Sequence, residues 1–438
     1  MNKFFQFTFL LIFIFLIFPS ISNGKDTIKL ITNSPIEKKK PNENCDTKIC
    51  ISLLSLINNA KKTIDFAIYG LRGQNEILQA LIKAEKRGVK VRGVVDKDVK
   101  GKNYYADTHL LNKSLKYIHD DYKFDIKTRE ILKKKKKKYK SKNKKCQTPP
   151  NTKGPVQCFE GKGYASKDKI KFKGDIMHNK FFIVDGRYVW TGSANISDTG
   201  IGGYNANIVV FAESEFLSRY YTLEFEQMFI DGEYHRRKSK LKKQDISTII
   251  DGSEVSLFFS PQGYAVDRGI IPLIQQSKDT IDVAIFFLTH KNITKELVNA
   301  RKRGVKVRII LDATAATNGY SKHNYLREKG IDVKVESWGG KMHMKSAVID
   351  KKNIIVGSMN WTGAGESKND ENTIIIQNSS KLGVQLSSFF QELWTSIPEK
   401  WLRHDPLPES IDSGTSCYDL IDNDFDGIKD SSEKECVE

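Results

Sequence analysis

The 438-residue sequence predicts an α/β protein of two α/β sandwich domains related by a pseudo-twofold axis, followed by a small acidic tail. Two internal repeats, and the alternation of strand-like and helix-like runs, predict this architecture. Residues 63–96 run from TIDFAIYG to KRGVKVRGVVD, and residues 280–312 run from TIDVAIFF to KRGVKVRIILD. A second repeat aligns residues 178–211 with 343–376 without a gap. In both halves strand-like and helix-like runs alternate, as in α/β domains.

Strands are expected where Ile, Val, Ala and Phe are concentrated, because such runs are typical of buried strands. The runs cover residues 63–69, 89–95, 181–184, 189–191 and 208–211 in the first half, and 280–287, 305–311 and a set after 343 in the second. Residues 75–87 and 292–303 repeat apolar side chains at helical spacing. Gly88 and Gly304 follow them, where each helix would end.

The domain boundaries follow from these patterns. We expect a signal peptide at residues 1–24, because a short apolar run follows Lys3 and small residues precede Lys25. An uncleaved anchor is the alternative, although the run is shorter than the roughly 20 residues that cross a bilayer. This start predicts a secreted, periplasmic or cell-surface protein. The other expected segments are a linker at 25–46, a first domain at 47–212, a connector at 213–254, a second domain at 255–400, and a linker with tail at 401–438.

Six cysteines fall into three close pairs, and an even count in an exported chain favours disulfides. Zinc binding by these cysteines is the alternative, but no histidine lies at ligand spacing near any pair. Nearest-neighbour pairing gives Cys45–Cys50, Cys146–Cys158 and Cys417–Cys436.

The positive charge is concentrated in one segment. Residues 127–173 carry 18 Lys and Arg against three acidic residues, which accounts for +15 of the chain's +18. The first half is longer than the second by roughly this segment, so it is an insertion. A solvated flexible loop and a site for a polyanion both explain such a run.

Each half contains the motif His-x-Lys-x4-Asp followed by a Gly-Ser-x-Asn turn. The His and Lys of each motif are two residues apart. On an extended strand, side chains at this spacing lie on the same face. Two imidazoles, two ammonium groups and two amides suit attack on a phosphodiester, protonation of its leaving oxygen and binding of its other oxygens. The candidate catalytic residues are His178, Lys180, Asp185, Asn195, His343, Lys345, Asp350 and Asn360.

These motifs resemble the signature of the phospholipase D superfamily over roughly residues 50–401. The resemblance implies two domains of phospholipase D-like fold that share a cleft, and a phosphohistidine intermediate formed without a metal. It also implies that a carboxylate, here Glu371, orients His178 as the nucleophile and leaves His343 as the acid. The gapless alignment places Ala206 at the matching position of the first half. Asp185 and Asp350 are expected to tether backbone or basic neighbours.

The sequence leaves the substrate open. We favour phospholipids, with an anionic membrane surface as partner; a metal-independent endonuclease acting on DNA or RNA is the alternative, and a non-catalytic basic surface-binding protein a distant third. Both motifs lie in one chain, which predicts a monomer. Several large apolar residues near the second motif would line an acyl-facing mouth on the lipid hypothesis, or belong to the core: Trp338, Met342, Met344 and Trp361.

The acidic tail resembles EF-hand-like or thrombospondin-type calcium loops, because its carboxylates and one glycine follow the spacing of a 12-residue loop. A disordered acidic tail is the alternative. Because a proline-containing linker precedes it, we expect a module separate from the second domain. The expected Ca²⁺ ligands are Asp422, Asp424, Asp426, Asp430 and Glu433.

Overall fold

The computed structural model describes residues 26–37, 40–138, 144–147, 157–160, 175–424, 428, 430–432 and 434–436. The expected signal peptide, most of the insertion at 127–173, and the expected ligands Asp426 and Glu433 lie outside these residues. Within the described residues, no helix combines the length and the apolar character that a membrane crossing requires.

The first half is built on a seven-stranded mixed sheet with the strand order β1-β11-β9-β8-β2-β4-β5. Two short two-stranded pairs, β3 with β10 and β6 with β7, complete it. Its elements are β1 (Thr27–Asn33), α1 (Lys48–Asn59), β2 (Thr63–Ile68), β3 (Leu71–Arg72), α2 (Asn75–Lys86), β4 (Lys90–Val95), α3 (Thr108–Ser114), β5 (Tyr117–Asp120), α4 (Tyr122–Lys138), β6 (Lys144–Gln147), β7 (Gln157–Glu160), β8 (Lys180–Val184), β9 (Tyr188–Gly192), β10 (Ile196–Ser197), β11 (Asn207–Glu213) and α5 (Glu215–Phe229).

The second half repeats this plan as an eight-stranded sheet in the order β12-β13-β19-β18-β17-β14-β15-β16. Its elements are β12 (Ser247–Ile250), β13 (Ser253–Ser260), α6 (Ile271–Gln276), β14 (Thr280–Ile285), α7 (Lys291–Lys302), β15 (Lys306–Leu311), α8 (Ala313–Ala316), α9 (His323–Glu328), β16 (Asp332–Val335), β17 (Lys345–Ile349), β18 (Asn353–Gly357), α10 (Gly363–Ser367), β19 (Glu371–Gln377) and α11 (Ser380–Ser396).

The predicted repeat appears as two equivalent strand–helix–strand units. β2 pairs in parallel with β4 across α2, and β14 pairs in parallel with β15 across α7. Gly88 and Gly304 follow the two helices with φ of +90° and +95°, a conformation that favours glycine. The predicted α/β architecture of both halves is therefore confirmed.

The two sheets share one central apolar core. It joins side chains of β8 and β11 with side chains of β18 and β19, so the halves are packed face to face. The outer face of each sheet is covered separately, by α1 and α2 in the first half and by α6 and α7 in the second. The edge between the halves is where the two histidine motifs lie.

Several segments expected as connections belong to the sheets. β1, within the expected linker 25–46, pairs with β11 along its whole length. The expected connector 213–254 contains α5, which packs on the first sheet, and β12, which pairs with β13. Only three of the seven residues of β1 are apolar, so its composition was too weak a signal to predict a strand.

Two of the expected disulfides are present, Cys45–Cys50 and Cys417–Cys436. Cys146 and Cys158 lie directly opposite each other in the β6–β7 pair, although their side chains lie outside the described residues. The register of this pair agrees with the third expected bridge.

The acidic tail packs against both halves, so the expectation of a separate module is wrong. Tyr204 donates a 2.6 Å hydrogen bond to the carboxylate of Asp419, and Thr314 donates one of 2.6 Å to the main-chain oxygen of Asn423. Lys341 donates to the same oxygen at 2.9 Å. These buried polar contacts, invisible in the sequence, hold the tail over the edge where the histidines lie.

Candidate active site

The two motif histidines line one cavity of about 290 Å³ between the halves. Each stands two residues before a motif lysine that begins a central strand, β8 or β17. His178 N donates to Asp370 O at 3.0 Å, and His343 N donates to Ala206 O at 3.1 Å. Each histidine is thus positioned by the main chain of the opposite half.

Glu371 holds His178, as the resemblance implied. Nδ1 of His178 lies 2.9 Å from both carboxylate oxygens of Glu371, which is fully buried at the start of β19. Ser358, in the Gly-Ser-x-Asn turn, donates to the same carboxylate at 2.7 Å. Because Nδ1 is occupied, attack on phosphorus would use Nε2.

His343 has neutral partners instead. Its Nδ1 lies 3.1 Å from the main-chain oxygen of Ser193 and 3.3 Å from Oδ1 of Asn207. In the part of the chain that the structure describes, no carboxylate contacts this ring, whereas Glu371 contacts the ring of His178. The two halves are chemically unequal, in agreement with the prediction.

The equivalent of Glu371 is Asn207, not Ala206. Ser193 donates to Asn207 Oδ1 at 2.8 Å, just as Ser358 donates to Glu371. Gly192 pairs with Val209, and Gly357 pairs with Thr373, so the first half has one extra residue before β11. The gapless alignment is therefore wrong by one residue here. A polar residue at the start of the apolar run NIVV was the available signal for Asn207.

The motif lysines are buried symmetrically. Lys180 donates to the main-chain oxygen of His178 at 2.8 Å, and Lys345 donates to that of His343 at 2.7 Å. Burial lowers the pKa of Lys180 to about 7 and holds the pKa of Lys345 well below its ordinary value. A bound phosphate would favour the charged form of both, so the site is suited to an anion.

Burial and the same two lysines hold the pKa values of both histidines well below the ordinary range. His178 is therefore neutral at pH 7, which a nucleophile requires. Burial raises the pKa of Glu371 to about 8, although the charge of Lys180 opposes this effect. An anionic substrate would offset the lysines and favour the protonated form of His343, the form that a general acid requires.

Asn195 and Asn360, which we expect to bind phosphate oxygens, both line the cavity. Asn195 Nδ2 donates to the hydroxyl of Tyr105 at 2.9 Å. The two amides follow equivalent turns of the two halves, so they complete a paired set of histidine, lysine and asparagine.

Asp185 and Asp350 do not line the cavity. The carboxylate of Asp185 accepts three backbone N–H groups, from residues 61–63, at 2.6–2.9 Å. Asp350 accepts the equivalent three, from residues 278–280, at 2.8–3.0 Å. Both residues stand at a φ just above +50° in the turn that follows their strand. Their contacts correspond to the expected tethering of backbone.

Aromatic rings surround the histidines. Tyr69 packs edge-on to His178 with ring centroids 5.1 Å apart, and Phe286 packs at 5.2 Å from His343. Arg72, Lys341 and the tail residues Ile421 and Asn423 also line the cavity. Further rings line it as well: Tyr104, Tyr105, Tyr204 and Phe287.

The apolar residues considered for an acyl-facing mouth do not line the cavity. Met342, Met344 and Trp361 are at most 1% exposed, and Trp338 packs against the central core. The two methionines alternate with His343 and Lys345 along the chain, so they face the core when the motif faces the cleft. The mouth is formed by other residues, which come from loops and the tail.

A family model described as "Cardiolipin synthase, PLD-like domain" matches residues 53–229 and 270–394. These segments contain both histidine motifs and cover more than half of the chain. The chain belongs to the phospholipase D superfamily. Its two copies of the domain are the two halves described above, and its relatives are phosphodiesterase-type enzymes.

Individual relatives agree with this family. "Phospholipase D" of Rickettsia conorii is 34% identical over 163 residues, which are 37% of this chain and 74% of the relative. Human "Mitochondrial cardiolipin hydrolase" is 27% identical over 142 residues, 32% of this chain and 56% of the relative. The solved structure of phosphatidylserine synthase from Haemophilus influenzae shares the fold, with a TM-score of 0.54, 15% identity and coverage of 85% of this chain and 86% of that one.

The first prediction concerns Asp185. We expect Asp185→Ala to lower the free energy of unfolding by about 2 kcal/mol, because three N–H groups lose a charged acceptor. Asp185→Asn should lower the free energy of unfolding by less, because its amide oxygen can still accept hydrogen bonds from the backbone N–H groups. Urea denaturation followed by circular dichroism measures both. An alanine variant of native stability that lacked all activity would instead place Asp185 in the chemistry.

Proposed function

We propose that this phosphodiesterase hydrolyses phospholipids through a covalent intermediate on His178. The observation that carries the proposal is the pair of histidines at one cavity, with Glu371 on His178 alone. His178 Nε2 attacks phosphorus, and the bond to the alcohol oxygen breaks as His343 gives that oxygen its proton. His343 then accepts a proton from water, whose oxygen displaces His178 and releases a phosphomonoester.

The buried lysines and asparagines supply the rest of this mechanism. Negative charge grows on the non-bridging phosphate oxygens in both transition states. Asn195 and Asn360 line the cavity. Lys180 and Lys345 are buried beside it, and each donates to the main-chain oxygen of the histidine in its own motif. A buried cation contributes more to such stabilisation than an exposed one, because the local dielectric is low. Each charge that develops can be met by a side chain of the two motifs.

The mouth of the cavity favours a lipid. Its lining includes six tyrosine or phenylalanine rings, among them Phe286 and Phe287, and also Ile421 of the tail. A phosphodiester at the histidines would place its neighbouring groups against these rings. The tail residues Ile421 and Asn423 border this cavity, so a duplex nucleic acid would meet the tail when it approached the histidines. These features support a phospholipid more than a double-stranded substrate.

Single-stranded nucleic acid is the second candidate. Arg72 and Lys341 border the cavity, and the rings of Tyr104 and Tyr105 could stack on bases. The Lys-rich insertion at 127–173 would add phosphate contacts, or contacts to an anionic membrane. The non-catalytic alternative has little support, because both motif copies are complete.

We also propose that the protein acts as an exported monomer after cleavage of residues 1–24. The order of charged, apolar and small residues at the N-terminus supports cleavage, and the disulfides Cys45–Cys50 and Cys417–Cys436 suit an oxidising compartment. Mass spectrometry of the exported protein tests this: a chain that retains Met1 would contradict cleavage.

The two histidines can be told apart with a substrate whose leaving group needs no proton. With a p-nitrophenyl phosphodiester, His343→Ala should form the adduct on His178 and then fail to hydrolyse it. His178→Ala should form no adduct. With an alkyl diester, we expect both variants to lose at least about 10³-fold in turnover.

Mass spectrometry after rapid alkaline denaturation measures the adduct on each variant. Wild-type protein, quenched at the same times, is the control. An adduct that persists in His178→Ala and maps to His343 would reverse the assignment of the nucleophile.

A direct comparison of substrates tests the lipid proposal. We expect choline release from phosphatidylcholine vesicles and no cleavage of duplex DNA under the same conditions. Phe287→Ser should raise KM for vesicles more than for a soluble short-chain diester, because it removes an apolar surface only. His343→Ala serves as the control for contaminating activity.

The opposite outcome would be cleavage of a single-stranded oligonucleotide with no release of choline. If that cleavage also fell steeply as the salt concentration rose, the nuclease proposal would replace the lipid proposal.

We propose that the tail binds Ca²⁺. Carboxylate oxygens of Glu409, Asp422 and Asp424 lie within 4.8 Å of one another, which brings Glu409 into the expected ligand set. Asp430 is used otherwise, since it accepts the N–H groups of Asp419 and Leu420 at 2.8 and 2.9 Å. Carboxylates held this close favour a cation that relieves their repulsion.

Calcium should protect the tail from proteolysis, and EGTA should remove the protection. Because the tail lines the cavity but supplies no reacting group, we expect EGTA to raise KM and to leave kcat within about twofold. Asp424→Asn should behave like EGTA-treated wild type. Equal cleavage of the tail with and without calcium would contradict the proposal.

A further inference from the structure

A second cluster of potential ligands is buried in the first half, outside the catalytic cavity. It consists of Asp121, Asp125 and His235, whose side chains are 1% exposed or less. One oxygen of each aspartate and Nε2 of His235 lie within 4.8 Å of one another. None of the three lines the cavity that contains the motif histidines.

The local sequence brings these atoms together. Asp121 precedes α4, and Asp125 is four residues later in its first turn, so both carboxylates lie on one face. His235 comes from the turn after α5 and has a φ of 54°. Its N–H is held by Asp370 Oδ1 at 2.8 Å, which fixes the turn.

The distances match a bound zinc ion better than hydrogen bonds. Nε2 of His235 lies 3.3 Å from Asp121 Oδ2 and 3.4 Å from Asp125 Oδ1. Ligand atoms of a tetrahedral zinc lie about 3.3 Å apart when the bonds are about 2.0–2.1 Å long. Hydrogen bonds are shorter, at about 2.7–3.2 Å. Among the described residues, neither carboxylate oxygen of Asp125 accepts a hydrogen bond, although this side chain is buried.

The surroundings are those of a metal-ligating histidine. Nδ1 of His235 lies 2.9 Å from Asp370 Oδ2, so the other ring nitrogen, Nε2, is directed at the two aspartates. A carboxylate behind a ligating histidine fixes the ring in this way. Asp121 is also held, because its Oδ1 accepts the N–H of Lys97 at 2.8 Å.

Charge around the cluster favours a cation. Buried carboxylates of Asp96, Glu224 and Asp370 lie near it, and Lys238 is the ammonium group that pairs with both Glu224 and Asp370. A divalent ion would offset two of these negative charges.

We propose that Asp121, Asp125 and His235 bind one Zn²⁺ ion, with a water molecule or the second oxygen of Asp125 as fourth ligand. An imidazole with two carboxylates favours zinc over calcium or magnesium. The ion would be structural. Asp370 O accepts the N–H of His178, and Asp96 accepts the N–H of Met177 at 2.9 Å, so the site lies behind the segment that carries His178 into β8.

The metal content of the mature protein tests this proposal. Elemental analysis after gel filtration in chelator-free buffer should find about one equivalent of zinc per chain. Asp125→Asn should lose it. Asp424→Asn is the matched control, because it removes a carboxylate from the tail cluster and should keep the zinc.

The thermal unfolding midpoint provides the second readout. Dialysis of wild type against a chelator selective for zinc over calcium, in buffer that contains Ca²⁺, should lower the midpoint by several degrees, and Zn²⁺ should restore it. Asp125→Asn should respond to neither treatment; if it does not fold, a competition titration of zinc-free wild type against a chromophoric chelator replaces it. Wild type with less than about a tenth of an equivalent of zinc, and no shift with added Zn²⁺, would overturn the proposal. His235 would then be an imidazolium held by three carboxylates.

Discussion

The active site depends on hydrogen bonds exchanged between the two halves. The main chain of His178 is held by Asp370 of the second half, and the main chain of His343 is held by Ala206 of the first. Separated halves would leave each histidine without this support, and His178 without Glu371. The catalytic geometry therefore depends on the shared apolar core, because the packing of the two halves sets the distance across which these hydrogen bonds form.

The sequence predicted the repeated strands and helices, the two motifs and the contact of Glu371 with His178, since these depend on local periodicity and on the spacing of the family motif. It could not place Asn207, because one extra residue in a loop changes no periodicity but shifts every later pairing. β1 was missed because only three of its seven residues are apolar, and its pairing with β11 joins residues far apart in the chain. The docking of the tail rests on contacts between residues 82 to 215 positions apart, such as Tyr204 with Asp419.

Residues next to a catalytic motif in the sequence need not line the cavity that contains the motif. Met342 and Met344 flank His343 in sequence, but alternation along the chain turns them into the core. The rings that surround the histidines come from loops that follow other strands, including Tyr69 and Phe286. The conformation of the loops therefore determines which residues line the cavity around the histidines. The repeated strands determine where the histidines themselves lie.

Joining both halves in one chain has a further consequence for their evolution. Two identical subunits around a twofold axis would have to carry the same residue at the positions of Glu371 and Asn207, so neither histidine could be distinguished from the other. A duplicated gene removes that constraint. One copy can keep the carboxylate, the other can replace it by an amide, and a long insertion can enter one side only. The sequence of a single chain then determines which histidine has a carboxylate partner and which has an amide partner.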